Sequence, residues 1–219
     1  AIFMLLCRTF ATYGIDYLKP ALAYVVVCIV LLFAYLFIGY PIYIGLFCNL
    51  NPIKFIKKIF KVMLFGFSTS SSAATLPLNM DTNTEELGVD PQIASFVLPL
   101  GMTINMDGTA IMQVAATLFI AGCSGYDVSV FQLIIIMLLA LIASLGTPAA
   151  PGAGAVILFT ILSAVGFSGE QTLIAYSLIL AINRPIEMLV TSLNCTGDAV
   201  ACIAVAKSEG KFNENIYNK

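Results

Sequence analysis

Hydrophobic positions dominate this chain, and its organisation lies in where polar residues interrupt them. An apolar piece at residues 1–10 leads through a connection around 14–20 into residues 21–47, which carry no charge at all. About 20 apolar residues cross the hydrocarbon of a bilayer as a helix. Residues 21–47 therefore predict a spanning helix, and 1–10 the tail of a helix that begins upstream. The next stretch, "NPIKFIKKIFKVM", places Lys54, Lys57, Lys58 and Lys61 at helical spacing with Ile and Phe between them. Beyond it, apolar runs alternate with short polar breaks. They predict a hairpin at 60–80 whose tip is the Ser/Thr run 68–77, and a helix at 91–122 broken at "TINMDGTA". A second hairpin follows at 128–165 with the tip "SLGTPAAPGAGA", then a last helix at 170–207 carrying "TSLNCTGDA", and a polar tail at 208–219. The halves 60–122 and 128–207 echo one another, each pairing a small polar tip with an Asn-and-Asp segment. Interrupted apolar segments at corresponding positions of two halves point to a transport site at the bilayer midplane.

Composition sharpens this picture. With 60% hydrophobic and 10% charged residues, the chain has too little charge to cover a water-soluble surface, and it reads as an all-α integral membrane protein. A net charge of −2 argues against nucleic acid, which favours clustered basic surface. The lysine cluster beside the spanning helix marks the cytoplasmic side. Residues 50–62 and the C-terminus are placed there, in a plasma (inner) membrane. The N-terminus has no signal-peptide pattern, and its abrupt apolar start without Met is expected of a segment of something longer. Six cysteines (7, 28, 48, 123, 195 and 202) are scattered without a C-x-x-C and read as small buried hydrophobes. The chain has no histidine, which removes the Ser-His triad, and no Ser-Lys pair stands in for it. No enzyme activity is expected.

Within the apolar runs the ionisable residues are Asp107, Arg184, Glu187 and Asp198. Such groups are costly in a bilayer and read as functional by default. The competing account pairs Arg184 with Glu187, its i,i+3 neighbour. A helix break at "TINMDGTA" would free backbone carbonyls, tolerable at membrane depth only where they line a cavity or bind an ion. Carbonyls plus one carboxylate suit Na⁺; Mg²⁺ or Ca²⁺ would want more carboxylates. Glu187, Thr191, Asn194 and Asp198 fall at i, i+4, i+7 and i+11, one polar face of the last helix. An interhelical hydrogen-bond seam is the plainer account of that face. The two tips, rich in Ser and Gly, permit close backbone approach and offer helix N-termini to an anion.

"SSSAATLP", "NMDGTA", "GTPAAPGAGA" and "NCTGDA", in that order, closely resemble the dicarboxylate/amino acid:cation symporter family, the glutamate transporter homologues, over about residues 18–210. The resemblance implies two re-entrant helical hairpins and broken helices forming an inverted-repeat transport core. That core would move as an elevator against a homotrimeric scaffold lying mostly upstream, with residues 1–17 the end of the last scaffold helix. Carried over by residue, it implies up to three Na⁺ sites. One takes the carbonyls of Gly101, Asn105 and Asn194 with the Asp198 carboxylate. A second takes Thr103, Met106, Ser144, Leu145 and Thr147. A third involves Asn105 and Asp107, its other ligands lying on a helix this chain lacks. Substrate would meet Ser71, Ser72, Thr109, Ala150, Gly154, Thr191 and the Asn194 side chain. Gln113 stands where potassium-countertransporting members carry glutamate, so potassium coupling is not expected.

Two departures bear on substrate. Val190 stands where acidic-substrate members have an arginine, and an unpaired buried carboxylate is expensive. A small neutral amino acid such as serine, threonine or alanine is therefore expected. Glu187 replaces the aspartate that meets the substrate ammonium, one methylene longer. Arg184, one turn away, is able instead to supply a positive charge, which keeps an acidic amino acid or C4-dicarboxylate as the alternative, with Na⁺ or H⁺ as the coupling ion. The rival of a different class is an ion channel using the same polar track. Lipid bilayer and a small-molecule substrate are the expected partners.

Overall fold

The computed structural model describes residues 18–219; the expectations for 1–17 lie outside it. Eleven α-helices and two π turns account for most of the described chain, and the one extended pairing there is an isolated antiparallel bridge between Val89 and Phe212. Among the described residues, three rods are long and apolar enough to cross a membrane: Pro20–Leu46, Pro91–Cys123 and Arg184–Ser208.

The first rod is α1 (Leu18–Ala34), a π turn (Tyr35–Gly39) and α2 (Tyr40–Leu46). Tyr24, Cys28, Leu32, Leu36, Tyr40 and Ile44 form its buried stripe, while Leu22, Val26, Val30 and Phe37 face outward, as suits a helix with lipid on one side. The π turn has a visible consequence. In an α-helix the stacked neighbours lie three and four residues apart. Here the Tyr40 N–H donates to the Tyr35 carbonyl, five back, which stacks Tyr35 and Tyr40 on one side of the rod.

The first hairpin is α3 (Pro52–Thr69) and α4 (Ser72–Asp81), continued by a second π turn (Thr82–Glu86). It starts earlier than the sequence pattern suggests, because the lysine-bearing stretch is itself its first helix. Asn51 caps that helix through Oδ1, which accepts from the N–H groups of Ile53 and Lys54, and Phe55, Ile59, Val62 and Met63 form the buried face. The serine run explains the tip residue by residue. Ser68 and Thr69 hydroxyls donate back to the Phe65 carbonyl, a contact that competes with helix continuation. Ser70 then turns left-handed at φ 50°, and Ser71 caps α4 by accepting from Ala74 N–H.

The second rod breaks into α5 (Pro91–Ile104) and α6 (Asp107–Cys123) at Asn105 and Met106, neither of which holds helical backbone angles. The second hairpin is α7 (Val130–Leu145), entered through a Ser129/Gln132 capping box, and α8 (Ala153–Ala164), with its irregular tip between them. The expected last helix is two: α9 (Glu170–Ile182) and α10 (Arg184–Ser208), separated at Asn183. Pro185 in the first turn of α10 has no N–H to continue the ladder of α9.

α10 is the axis of the molecule, packed against α1, α3, α4, α5 and α6. The first hairpin packs along this helix, while both helices of the second pack on α6. The polar tail is not loose: α11 (Glu214–Asn218) folds back against the second π turn and buries Tyr217 completely.

Candidate functional site

The break in the second rod, both hairpin tips and α10 meet at one place. Ser70, Ser72, Met106, Thr109, Met112, Thr147–Gly152, Gly154, Glu187, Val190, Thr191 and Asn194 line a cavity of about 30 Å³. A water needs roughly 10–15 Å³ measured this way, so the space holds about two waters and no amino acid. Entry of anything larger requires a tip to move.

Of the residues expected to meet substrate, Ser72, Thr109, Ala150, Gly154, Glu187, Val190, Thr191 and Asn194 line this cavity. Ser71 does not line it; its hydroxyl instead donates to the Ala149 carbonyl at 3.2 Å, joining one tip to the other. Ser70, not among the expected substrate residues, also lines the cavity, and its buried hydroxyl has no hydrogen-bond partner among the described residues. Nothing but membership of the serine run marks it.

α10 and α6 are locked together at the cavity wall. Gly108 N–H donates to Asn194 Oδ1 at 2.8 Å, and Asn194 Nδ2 donates to Thr109 Oγ1 at 3.1 Å. A Cβ on Gly108 would stand 3.0 Å from the Val190 carbonyl, so the close approach of these helices needs glycine. On the other wall, Gln113 Nε2 donates to the Gly154 carbonyl at 3.3 Å, while its buried Oε1 has no partner among the described residues. The Glu187 carboxylate faces Arg184 Nη1 across 3.6 Å. Arg184 itself is 43% exposed and lies outside the cavity lining, whereas Val190 is in it.

Behind the cavity lie the two aspartates. Asp198 is buried and accepts from Asn105 Nδ2 at 3.0 Å. Gly101 presses on the same carboxylate: a Cβ there would be 2.7 Å from Oδ1. Gly101, Asn105 and Asp198, expected to share one cation, are thus brought together. Asp107 accepts from the Tyr40 hydroxyl at 2.9 Å and from Tyr35 at 3.5 Å, which is what the π turn of the first rod achieves. Of the second expected cation set, Met106 and Thr147 reach the cavity and Ser144 is buried. Thr103 and Leu145 present exposed side chains, leaving only backbone carbonyls for such a role. A larger groove of about 940 Å³, between α1, α6 and α7, is lined by apolar side chains and the two tyrosines 24 and 35. Both tyrosine hydroxyls are already engaged, by Asn183 and Asp107.

A family model described as the sodium:dicarboxylate symporter family matches residues 1–208. An excitatory amino acid transporter of Caenorhabditis elegans is 39% identical over 150 residues, covering 68% of this chain and 29% of that protein. Excitatory amino acid transporter 5 of Homo sapiens is 40% identical over 151 residues, 69% of this chain and 26% of its own length. Excitatory amino acid transporter 2 of Homo sapiens is 39% identical over 149 residues, 68% and 25% respectively. The chain thus spans well under half the length of the curated relatives it matches.

Proposed function

The chain belongs to the sodium:dicarboxylate symporter family, and from that premise we propose that it forms the transport core of a Na⁺-coupled symporter rather than an enzyme. Its substrate is an acidic amino acid or C4-dicarboxylate. The observation that carries this is the convergence of two hairpin tips, a helix break and the polar face of α10 on one small cavity. The substrate class is supported by the family's description as sodium:dicarboxylate symporters and by relatives named as excitatory amino acid transporters. It displaces the small neutral amino acid expected from Val190.

Mechanistically, Asn194 and Thr109 offer hydrogen bonds to a substrate carboxylate, Ser70 and Ser72 add hydroxyls at the first tip, and Glu187 is available to an ammonium. Arg184 supplies positive charge to a second carboxylate after turning inward from its exposed position. Na⁺ is carried cargo here. It would sit between the Asp198 carboxylate and the carbonyls of Gly101, Asn105 and Asn194, and near Asp107, so that both carboxylates are neutralised before the core moves. The tip around Ala149–Gly154 closes over the loaded cavity, and the bond from Ser71 holds it shut. Coupling arises because the closed state is favoured only with both ligands bound. Movement against a homotrimeric scaffold, with the lysine cluster and C-terminus facing the cytoplasm across an inner or plasma membrane, completes the reading. A neutral amino acid is the second reading, favoured by Val190 in the cavity wall.

Uptake of labelled L-aspartate, succinate and L-serine into liposomes holding the intact transporter, with an inward Na⁺ gradient, tests this. Saturable Na⁺-driven aspartate or succinate uptake supports it. Serine uptake alone supports the second reading, and conductance without saturable uptake would make the protein a channel.

A further inference from the structure

Glu187 is aimed by residues that lie outside the cavity. The Tyr24 hydroxyl, from α1, donates to Asn183 Oδ1 at 2.8 Å. Asn183 Nδ2 then faces Glu187 Oε1 at 3.4 Å and Met112 Sδ at 3.1 Å. All four side chains are buried, Asn183 and Met112 almost completely. The order of the chain has physical content. An amide has one acceptor end and one donor end. With its oxygen held by the tyrosine O–H, only its N–H₂ is left for Glu187, and the reversed amide would set an oxygen against a carboxylate. Arg184 engages the other oxygen, Oε2, at 3.6 Å. Both carboxylate oxygens are therefore held from the start of α10, and each keeps a lone pair for the cavity that Glu187 lines.

The local fold makes this possible. Asn183 is the one residue between α9 and α10; its backbone stays right-handed helical, with its N–H on the Ile179 carbonyl and its carbonyl taking the Glu187 N–H, and its side chain meets Tyr24 of α1.

We infer that Tyr24 and Asn183 are positioning residues that aim the Glu187 carboxylate at a substrate ammonium, and so set selectivity for amino acids over the corresponding deaminated acids. This rests on the reading of the cavity as the substrate site. It adds that amine recognition is controlled from α1, across the bundle, by groups that never touch substrate.

The test is Na⁺-dependent binding by the intact transporter of two matched pairs, L-aspartate with succinate and L-alanine with propionate. Tyr24→Phe deletes one hydroxyl and keeps the ring; Asn183→Leu deletes the amide. Each is expected to weaken the preferred amino acid by about fivefold, the worth of roughly one net hydrogen bond, and to leave its deaminated partner within about twofold. In a Glu187→Gln background the Tyr24→Phe effect should vanish, because a positioning residue acts only through the group it positions. Equal weakening of both members of a pair, or an undiminished Tyr24→Phe effect without Glu187, would mean a structural role and overturn the inference. Wild-type binding of succinate or propionate but of neither amino acid would overturn it too, while leaving sodium-coupled carboxylate transport intact. No Na⁺-dependent binding of any of the four would remove the substrate-site reading itself, and the inference with it.

Discussion

Gly101 and Asp198 show how much of the site is decided by single atoms. The carboxylate lies so close to the Gly101 backbone that one added carbon would sit 2.7 Å from Oδ1, against a helix that Asn105 also ties to Asp198. Backbone and carboxylate cannot both stay in place once a methyl intervenes. Gly101→Ala is therefore expected to cost about 1–3 kcal/mol by overpacking, and to lower Na⁺ affinity by more than it lowers stability without Na⁺. Thermal unfolding in Na⁺ and in choline measures both; an equal shift in the two salts would mean Asp198 holds no cation. The same scale shows what could be read from sequence. Glu187, Thr191, Asn194 and Asp198 announce themselves because ionisable and amide groups are rare in apolar helices and share one helical face. Tyr24, Tyr40 and Asn183 do not, since a tyrosine in a spanning helix is ordinary and their partners lie 67–159 residues away.

Hairpin tips are the elements whose chemistry is most local, and so most legible. "STSSSAATLP" contains every component of its turn: two back-bonding hydroxyls, a residue that turns left-handed, and a serine cap. What it lacks is any mark of the tip it meets, for the Ser71 bond to Ala149 spans 78 residues. Ser71→Gly separates the two roles, because glycine caps a helix almost as well as serine, within a few tenths of a kcal/mol. This variant should keep its fold and melting temperature within about 1–2 °C, given the small loss of stability. Its second hairpin should open more readily, read as faster modification of a cysteine introduced at Ala150. Unchanged modification would show that the tips are held shut by something else. The π turn of the first rod left no trace in composition, because an apolar helix reads the same with or without one wider turn. Only the Asp107 carboxylate, met by both Tyr35 and Tyr40, reveals its use.

Over the whole molecule, α10 holds the parts together and the C-terminal segment fastens one end. Lys58 donates to the carbonyls of Glu86, Ile216 and Tyr217 at 2.7–2.9 Å, and Lys61 pairs with Glu86. Tyr217, fully buried, donates to the Asn51 carbonyl at 2.8 Å, and Lys207 donates to the Cys48 carbonyl at 2.7 Å. The polar tail suggested by "KFNENIYNK" is thus a clasp whose apolar contact comes from Tyr217, fully buried, and from Phe212 packed beside it, too little to register in a hydropathy pattern. Tyr217→Ala should cost about 3–5 kcal/mol, the usual loss for a buried aromatic, seen as a lower melting temperature and faster proteolysis after Lys207. Burial raises the phenol above its ordinary value of 10.0. The folded state therefore holds that proton more tightly than the unfolded one, and the clasp weakens only as pH rises past about 10. Full stability at neutral pH is the corresponding expectation.

The central claim is that substrate and Na⁺ share one closed state. The most direct test is L-aspartate binding to the intact transporter at Na⁺ concentrations spanning two decades. Reciprocal coupling predicts that below saturation the apparent Kd falls by about tenfold or more for each tenfold rise in Na⁺, one decade per coupled ion. An L-aspartate Kd that is measurable and independent of Na⁺ would contradict the account.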